Sequence, residues 1–204
     1  MIIYLVRHSG PFVSYENEEN LTWNEFNCNM TLSVEGEGNA KKLCKIKELK
    51  NIKNIYSSLS TRAVATAKYI AEQNKTKIKL DKRINELKLG INYLSEIPNN
   101  FHLTQFGNRS YKLQNGESLN EVSARFNDFI DDLLKQDEDC ILFVHGILLL
   151  NYLSEITNFS FDGQIANCSF NNKSVINRKL TNPDVFKITF QNKKIINVEN
   201  IPVF

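Results

Sequence analysis

The chain has 204 residues, 42% of them hydrophobic and 24% charged, which suits an ordinary globular domain with a sizeable core. A net charge of +2 is too small for a surface built around nucleic acid or an anionic membrane. The four cysteines, Cys28, Cys44, Cys140 and Cys168, stand far apart with no CxxC pair and no Cys/His cluster, so they match no zinc spacing and call for no disulfides.

Residues 2–6, Ile-Ile-Tyr-Leu-Val, form a short apolar run rich in β-branched residues and read as a buried strand. It ends in Arg7 and His8, and Ser9-Gly10-Pro11 cannot continue it. The polar, Asn-rich stretch 12–31 reads as a loop. Ser33 then caps a helix that carries Ala40, Leu43 and Cys44 at helical spacing. Residues 54–57 form a short strand running into a polar turn. Ser60 or Thr61 caps the next helix, whose apolar stripe is Ala63, Ala67, Ile70 and Ala71 and whose first turn holds Arg62. Residues 78–80 suit a short edge strand, and 87–115 are only weakly periodic. Ser118 and Glu121 have the spacing of a capping box. The helix behind it places Val122, Phe126, Phe129, Ile130, Leu133 and Leu134 on one face. Residues 140–144 are a buried strand, followed by a helix over about 147–156. The tail reads as strands around Ser169, over 185–190 and over 194–198, the last two joined by a hairpin turn at Gln191-Asn192-Lys193.

Alternating strands and helices predict an α/β fold with a largely parallel sheet covered on both faces. No repeat or linker divides the chain, so a single domain over 1–204 is expected. The N-terminus lacks a basic segment followed by an apolar core and cleavage site. The longest apolar stretch, 141–150, is too short to span a bilayer and is interrupted by His145-Gly146. A cytoplasmic protein is expected.

Several strands end in chemically competent groups. Arg7 and His8 follow the first, Ser57, Ser58 and Arg62 the second, and His145-Gly146 the strand 140–144, while Glu86 lies in Ile84-Asn85-Glu86-Leu87-Lys88-Leu89-Gly90. In a parallel sheet such ends share one edge, so distant residues converge. Two His, two Arg and a carboxylate suit phosphoryl transfer. A guanidinium fork matches phosphate oxygens, an imidazole can attack phosphorus, and a carboxylic acid can protonate the leaving oxygen. No metal is needed where the Arg forks supply the charge stabilisation. Arg62 in a helix first turn opposes the helix dipole, a placement that an anion would relieve. Each residue alone also suits a solvated strand or helix end; the set and its order give the signal.

Leu5-Val6-Arg7-His8 resembles the opening motif of the histidine phosphatase (phosphoglycerate mutase-like) superfamily. Ser57-Ser58-Leu59-Ser60-Thr61-Arg62-Ala63-Val64-Ala65-Thr66-Ala67 resembles its second motif closely, and Leu32-Ser33 with Gly36 and Asn39-Ala40 is similar to the helix between. Glu86 through Gly90 resembles the acid segment of the phosphatase branch, and Gly116-Glu117-Ser118 and Val144-His145-Gly146 complete the family order. The resemblance implies a three-layer α/β/α sandwich around a mostly parallel mixed sheet. It also implies His8 as the nucleophile that becomes phosphohistidine, with Arg7, Arg62 and His145 on the phosphoryl group. Glu86 would be the proton donor to the leaving alcohol.

The chain departs from the pattern beside the nucleophile. Ser9 replaces the usual Gly, and Gly10-Pro11-Phe12-Val13-Ser14 stands where the family carries a Thr-x-x-Asn run. Ser9, Ser58 or a backbone N–H, with Gly146 beside His145, could supply the missing phosphate donor. The short segment after Glu86 differs from the longer insertion of the mutases. Hydrolysis of a small phosphorylated metabolite, sugar phosphates included, is therefore expected, with inorganic phosphate as product and no cofactor, metal, nucleic acid or membrane involved. Mutase-type transfer and a non-catalytic binder of a phospho-ligand or protein remain the alternatives. A phosphatase acting on protein phosphohistidine is a further one, against which a leaving-group acid weighs. The stretches 12–31 and 91–115 should flank the pocket, with Phe101, His102, Phe106, Arg109, Tyr111 and Lys112 as candidate leaving-group contacts. Arg109 and Lys112 lead if the substrate carries a second anion.

Overall fold

The computed structural model describes residues 1–13 and 21–203. Its elements, in chain order, begin with β1 (Ile2–Arg7), α1 (Trp23–Asn29), α2 (Val34–Lys42), β2 (Asn54–Ser57) and α3 (Thr61–Gln73). There follow β3 (Ile78–Leu80), α4 (Phe101–Gly107), α5 (Leu119–Gln136), β4 (Cys140–Val144) and α6 (Gly146–Ile156). The tail holds β5 (Asn158–Phe161), β6 (Ala166–Phe170), β7 (Lys173–Arg178), β8 (Asp184–Gln191) and β9 (Lys194–Ile201).

Six strands make the central sheet in the order β3-β2-β4-β1-β8-β9. The pairs β3–β2, β2–β4 and β4–β1 are parallel, and β1–β8 and β8–β9 are antiparallel. The period-2 alternation of a strand sends neighbouring side chains to opposite faces. Tyr4, Val6, Ile141 and Phe143 pack with Ala63, Ala67 and Ile70 of α3 on one face. Ile3, Leu5, Leu142 and Val144 pack with Phe126 and Phe129 of α5 and Leu148 and Leu149 of α6 on the other. The result is the expected α/β/α sandwich with a mixed, mostly parallel sheet.

Helix ends follow their local signals. Ser33 Oγ accepts the Gly36 N–H at 3.0 Å, and Ser118 and Glu121 form the expected capping box on α5. Ser60 stands at the N-cap of α3 without a side-chain cap bond. Asn192 and Lys193 both have positive φ, the geometry of a tight hairpin turn whose twist matches the strands.

Three expectations change. The stretch 12–31 is not all loop: Thr22 and Glu25 form a capping box that starts α1, and residues 14–20 lie outside the described residues. The weakly periodic stretch contains α4. The tail holds two further strands, β5 and β7, which flank β6 in a second, three-stranded antiparallel sheet. The side chains of β5 alternate between exposed and half-buried, so its hydrophobic pattern is shallow. No helix among the described residues is long and apolar enough to cross a membrane.

Candidate active site

Because β1, β2 and β4 run parallel and in register, with Arg7 opposite Val144 and Ser57 opposite Phe143, their carboxyl ends lie side by side. The next residues, His8, Ser58 and His145, therefore meet at one sheet edge. The His8 N–H reaches Val144 O at 2.9 Å and the Ser58 N–H reaches Phe143 O at 3.2 Å, extending the strand pairing to the residues of the candidate site.

Hydrogen bonds set the protonation pattern of both imidazoles. His8 Nδ1 lies 2.8 Å from Ser9 O, and a carbonyl only accepts, so Nδ1 carries the proton and Nε2 a lone pair. Arg62 Nε donates to that lone pair at 3.0 Å. The same guanidinium donates through Nη2 to His145 Nδ1 at 3.1 Å. His145 must then donate through Nε2, and Ser58 Oγ accepts at 2.7 Å. The two rings stand 5.1 Å apart, tilted by 59°. Burial holds both imidazoles well below the usual His range, and the Arg62 charge lowers them further. Each is a neutral imidazole with an unprotonated nitrogen turned to one guanidinium.

Arg62 is only 3% exposed, and Nη1 donates to the Asn27 carbonyl of α1. Arg7 Nη1 donates to Leu180 O at 3.0 Å and Thr181 O at 3.3 Å, while its buried Nε has no partner. A buried donor without an acceptor costs about 1–3 kcal/mol, so this one points to a ligand. Burial lowers the pKa of both guanidiniums, and the Glu86 charge opposes that shift.

Glu86 caps α6. Its Oε2 accepts the Ile147 N–H at 3.0 Å, and its Oε1 accepts Leu148 N–H at 3.0 Å and Leu87 N–H at 2.9 Å. A carboxylate at a helix N-terminus is held by free donors and by the dipole together. The segment that carries it is fixed from behind by Arg125. Arg125 donates to Arg83 O and Asn85 O at 2.8 Å and to Glu86 O at 3.2 Å, and pairs with Glu117 at 2.8 Å. Gly90, at φ +74°, lets this segment touch the Asn115–Gly116 backbone, where any side chain would clash.

Arg7, His8, Arg62, Glu86 and Gly146 border one cavity of ≈280 Å³. It can hold an oxyanion between two guanidiniums, beside an imidazole lone pair and a carboxyl group. Among the described residues no group of three His, Cys, Asp or Glu side chains is placed to hold a metal ion.

Other residues named from the sequence lie elsewhere. Ser58 sits behind His145 as its acceptor. Ser9 is fully buried, with its hydroxyl donating to Gly36 O at 2.7 Å and its N–H to Thr66 Oγ1 at 3.0 Å, so both its donors are engaged away from the cavity. Gly36 has no room for a side chain against the Gly10 carbonyl, and this close approach locks Ser9 to α2. Arg109 pairs with Glu155 at 2.6 Å and bonds Ser154 and Ser123. Lys112 pairs with Glu121 at 2.6 Å, and Tyr111 packs on Phe101. None of these three borders the cavity; the two cations are paired with carboxylates of α5 and α6 instead.

Both flanking stretches do contribute, through Trp23, Asn27 and Met30 from one and His102 from the other. Asn27, Arg125 and Asn182, whose Nδ2 donates to His8 O at 2.9 Å, were not anticipated. The Gly116-Glu117 motif was the available signal for the Arg125 partner.

A family model of the histidine phosphatase superfamily (branch 1) matches residues 3–184. No curated protein matches the chain. Among solved structures, the mycobacterial glucosyl-3-phosphoglycerate phosphatase complexed with inorganic phosphate is 15% identical, with TM-score 0.70 over 98% of this chain and 95% of that one. The same enzyme complexed with vanadate is 16% identical, with TM-score 0.70 over 98% and 96%. A phosphoglycerate mutase from Bacillus anthracis is 20% identical, with TM-score 0.68 over 98% and 92%. At these identities the likeness is one of fold.

Proposed function

The chain belongs to the histidine phosphatase superfamily, and we propose that it hydrolyses phosphate monoesters of small metabolites through a phosphohistidine on His8. The observation that carries this reading is the arrangement of His8. Its Nδ1–H is fixed on Ser9 O, and its Nε2 lone pair faces the cavity bordered by Arg7 and Arg62. A neutral imidazole so oriented is a competent nucleophile.

On arrival of a phosphate dianion, Arg62 turns from the two lone pairs to the phosphoryl oxygens, and Arg7 Nε gains its acceptor. The dianion offsets the burial that keeps His145 neutral, so His145 takes a proton from solvent at Nδ1, holds a third oxygen with that N–H, and gives the proton up again when phosphate leaves. His8 Nε2 attacks phosphorus as the ester bond breaks, and Glu86 delivers a proton to the departing alcohol oxygen. Its Oε2, with one N–H bond against two at Oε1, has the room to carry that proton. Water then attacks the phosphohistidine, Glu86 takes its proton, and phosphate leaves with His8 restored.

The mycobacterial neighbour's name suggests esters of sugar or glycerate type as substrates. The test is phosphate release from 4-nitrophenyl phosphate and a panel of sugar phosphates. Release that disappears in His8→Ala, with acid-labile, base-stable phosphate trapped on the wild-type chain, is the expected result. A folded wild-type protein that releases no phosphate from any ester overturns it. Label that moves between two positions of an acceptor, with little free phosphate, would point to mutase-type transfer instead.

A further inference from the structure

A second cavity opens from the first. It has ≈230 Å³ and shares Arg7, Glu86, His102, Gly146 and Ile147 with the phosphate cavity, but neither His8 nor Arg62. Displacement at phosphorus sends the leaving oxygen away from His8, toward the acid that protonates it. A space bounded by the acid but not by the nucleophile therefore lies on the leaving-group side.

Glu86 also faces this way. Its carboxylate oxygens bond the Ile147 and Leu148 N–H groups, and Ile147 forms a wall of both cavities. A further cavity of ≈430 Å³ also touches Glu86, but it is bordered by Arg125, which holds the Glu86 backbone carbonyl. That cavity also shares Asn27 and Leu87 with the phosphate cavity, but not Arg7, Gly146 or Ile147, whose N–H holds Glu86 Oε2.

The remaining walls are chemically divided. Leu150, Phe161, Ala166 and Leu180 offer apolar surface, and Phe161 is steadied at 5.0 Å from Phe106. Among the described residues that line it, Lys179 is the one lysine; it is exposed, at the rim, and its neighbour Arg178 is held by Asp184 at 2.7 Å. One lysine at the rim of an apolar bed matches one monoanion on an apolar body.

Resting on the hydrolase reading above, we infer that this second cavity is the leaving-group subsite, and that it selects an alcohol with an apolar face and one carboxylate, the carboxylate meeting Lys179. The specificity residues for this chain are then Lys179 and Phe161, from the three-stranded sheet and the segment after it, rather than Arg109 and Lys112.

The experiment compares kcat/KM for three esters with similar leaving groups: ethyl phosphate, benzyl phosphate and 4-carboxybenzyl phosphate. Wild type should prefer benzyl to ethyl by about tenfold, the scale of one buried apolar group, and carboxybenzyl to benzyl by about fivefold, the scale of one solvent-exposed ion pair. Lys179→Met should lower the carboxybenzyl-to-benzyl ratio about fivefold, and Phe161→Ser the benzyl-to-ethyl ratio by about five- to tenfold. Lys88→Met, in the cavity bordered by Arg125, should move neither ratio by more than about twofold. Thermal melting of each variant separates misfolding from altered selection. His8-dependent hydrolysis of all three esters at equal efficiency, or a carboxybenzyl ratio untouched in Lys179→Met, overturns the subsite and leaves the hydrolase standing. No hydrolysis of any ester by the folded wild type overturns both.

Discussion

Arg62 Nε donates to His8 Nε2 at 3.0 Å, and through Nη2 the same guanidinium holds His145 Nδ1 at 3.1 Å. One planar fork thus bridges two imidazoles from two parallel strands. Only Arg can do this, because the two bonds leave from different nitrogens of one rigid plane. Arg62→Lys should reduce kcat/KM for 4-nitrophenyl phosphate by about 10²–10³-fold, the usual loss when a preorganised donor to a transition-state anion is removed. Steady-state kinetics checks this, and a Lys variant within fivefold of wild type would show that the fork is not used.

The same geometry predicts how stability depends on pH. Burial first, then the Arg62 charge, depresses the pKa of His8 and His145 in the folded chain. Between the depressed folded value and the ordinary unfolded value near 6.5, the unfolded chain binds more protons than the folded one. Stability is then fully present above about pH 6.5 and falls as pH drops below it, by up to about 1.4 kcal/mol per pH unit for each group. Denaturant melts from pH 7.5 to 5.0 should show this slope. His145→Gln should flatten it; an unchanged slope would assign the effect to other groups.

Ser58 tests how His145 is oriented. Its Oγ accepts the His145 Nε2–H at 2.7 Å in a fully buried site. Ser58→Ala leaves that N–H without a partner, which costs about 1–3 kcal/mol of stability. The freed ring can also change tautomer, so kcat should fall about tenfold with a smaller change in KM, as for a group that acts most strongly in the transition state. A variant that loses stability alone would make Ser58 a packing residue.

Much of this site could be read from the chain because its residues end strongly patterned strands. Arg7, His8 and His145 each follow a run whose buried alternation permits one register, and parallel pairing then forces their convergence. What escaped reading depends on partners distant in sequence. Arg109 and Lys112 looked available for substrate because Glu155 and Glu121 meet them only through α5 and α6. Ser9 looked like a phosphate donor because nothing local shows that Gly36 O and Thr66 Oγ1 take its two donors. Helix α1 has no buried residue, so its stretch carries no apolar stripe, and its capping box was the one local clue. Lys179 lies in a polar tail segment that becomes a cavity wall only once β5, β6 and β7 are assembled.

Glu86 and Arg125 yield the last prediction, which separates an acid from its support. Glu86→Gln keeps an acceptor for the α6 N–H groups but cannot give up a proton to a leaving alkoxide. Its cost should follow the leaving group: about 10²–10⁴-fold in kcat for benzyl phosphate, and much less for 4-nitrophenyl phosphate, whose phenolate departs without help. Arg125 touches only the backbone of the acid segment and Glu117, with bonds of 2.8 Å to Arg83 O and Asn85 O. Arg125→Met should therefore reproduce the leaving-group dependence in weaker form, about tenfold for benzyl phosphate, because a carboxyl displaced by a fraction of an ångström transfers its proton less well. Arg125→Lys, which restores the charge beside Glu117 but not the fork to three carbonyls, should recover stability more than rate. An Arg125→Met loss that is equal for both esters would mean that Arg125 supports the fold generally and does not position Glu86.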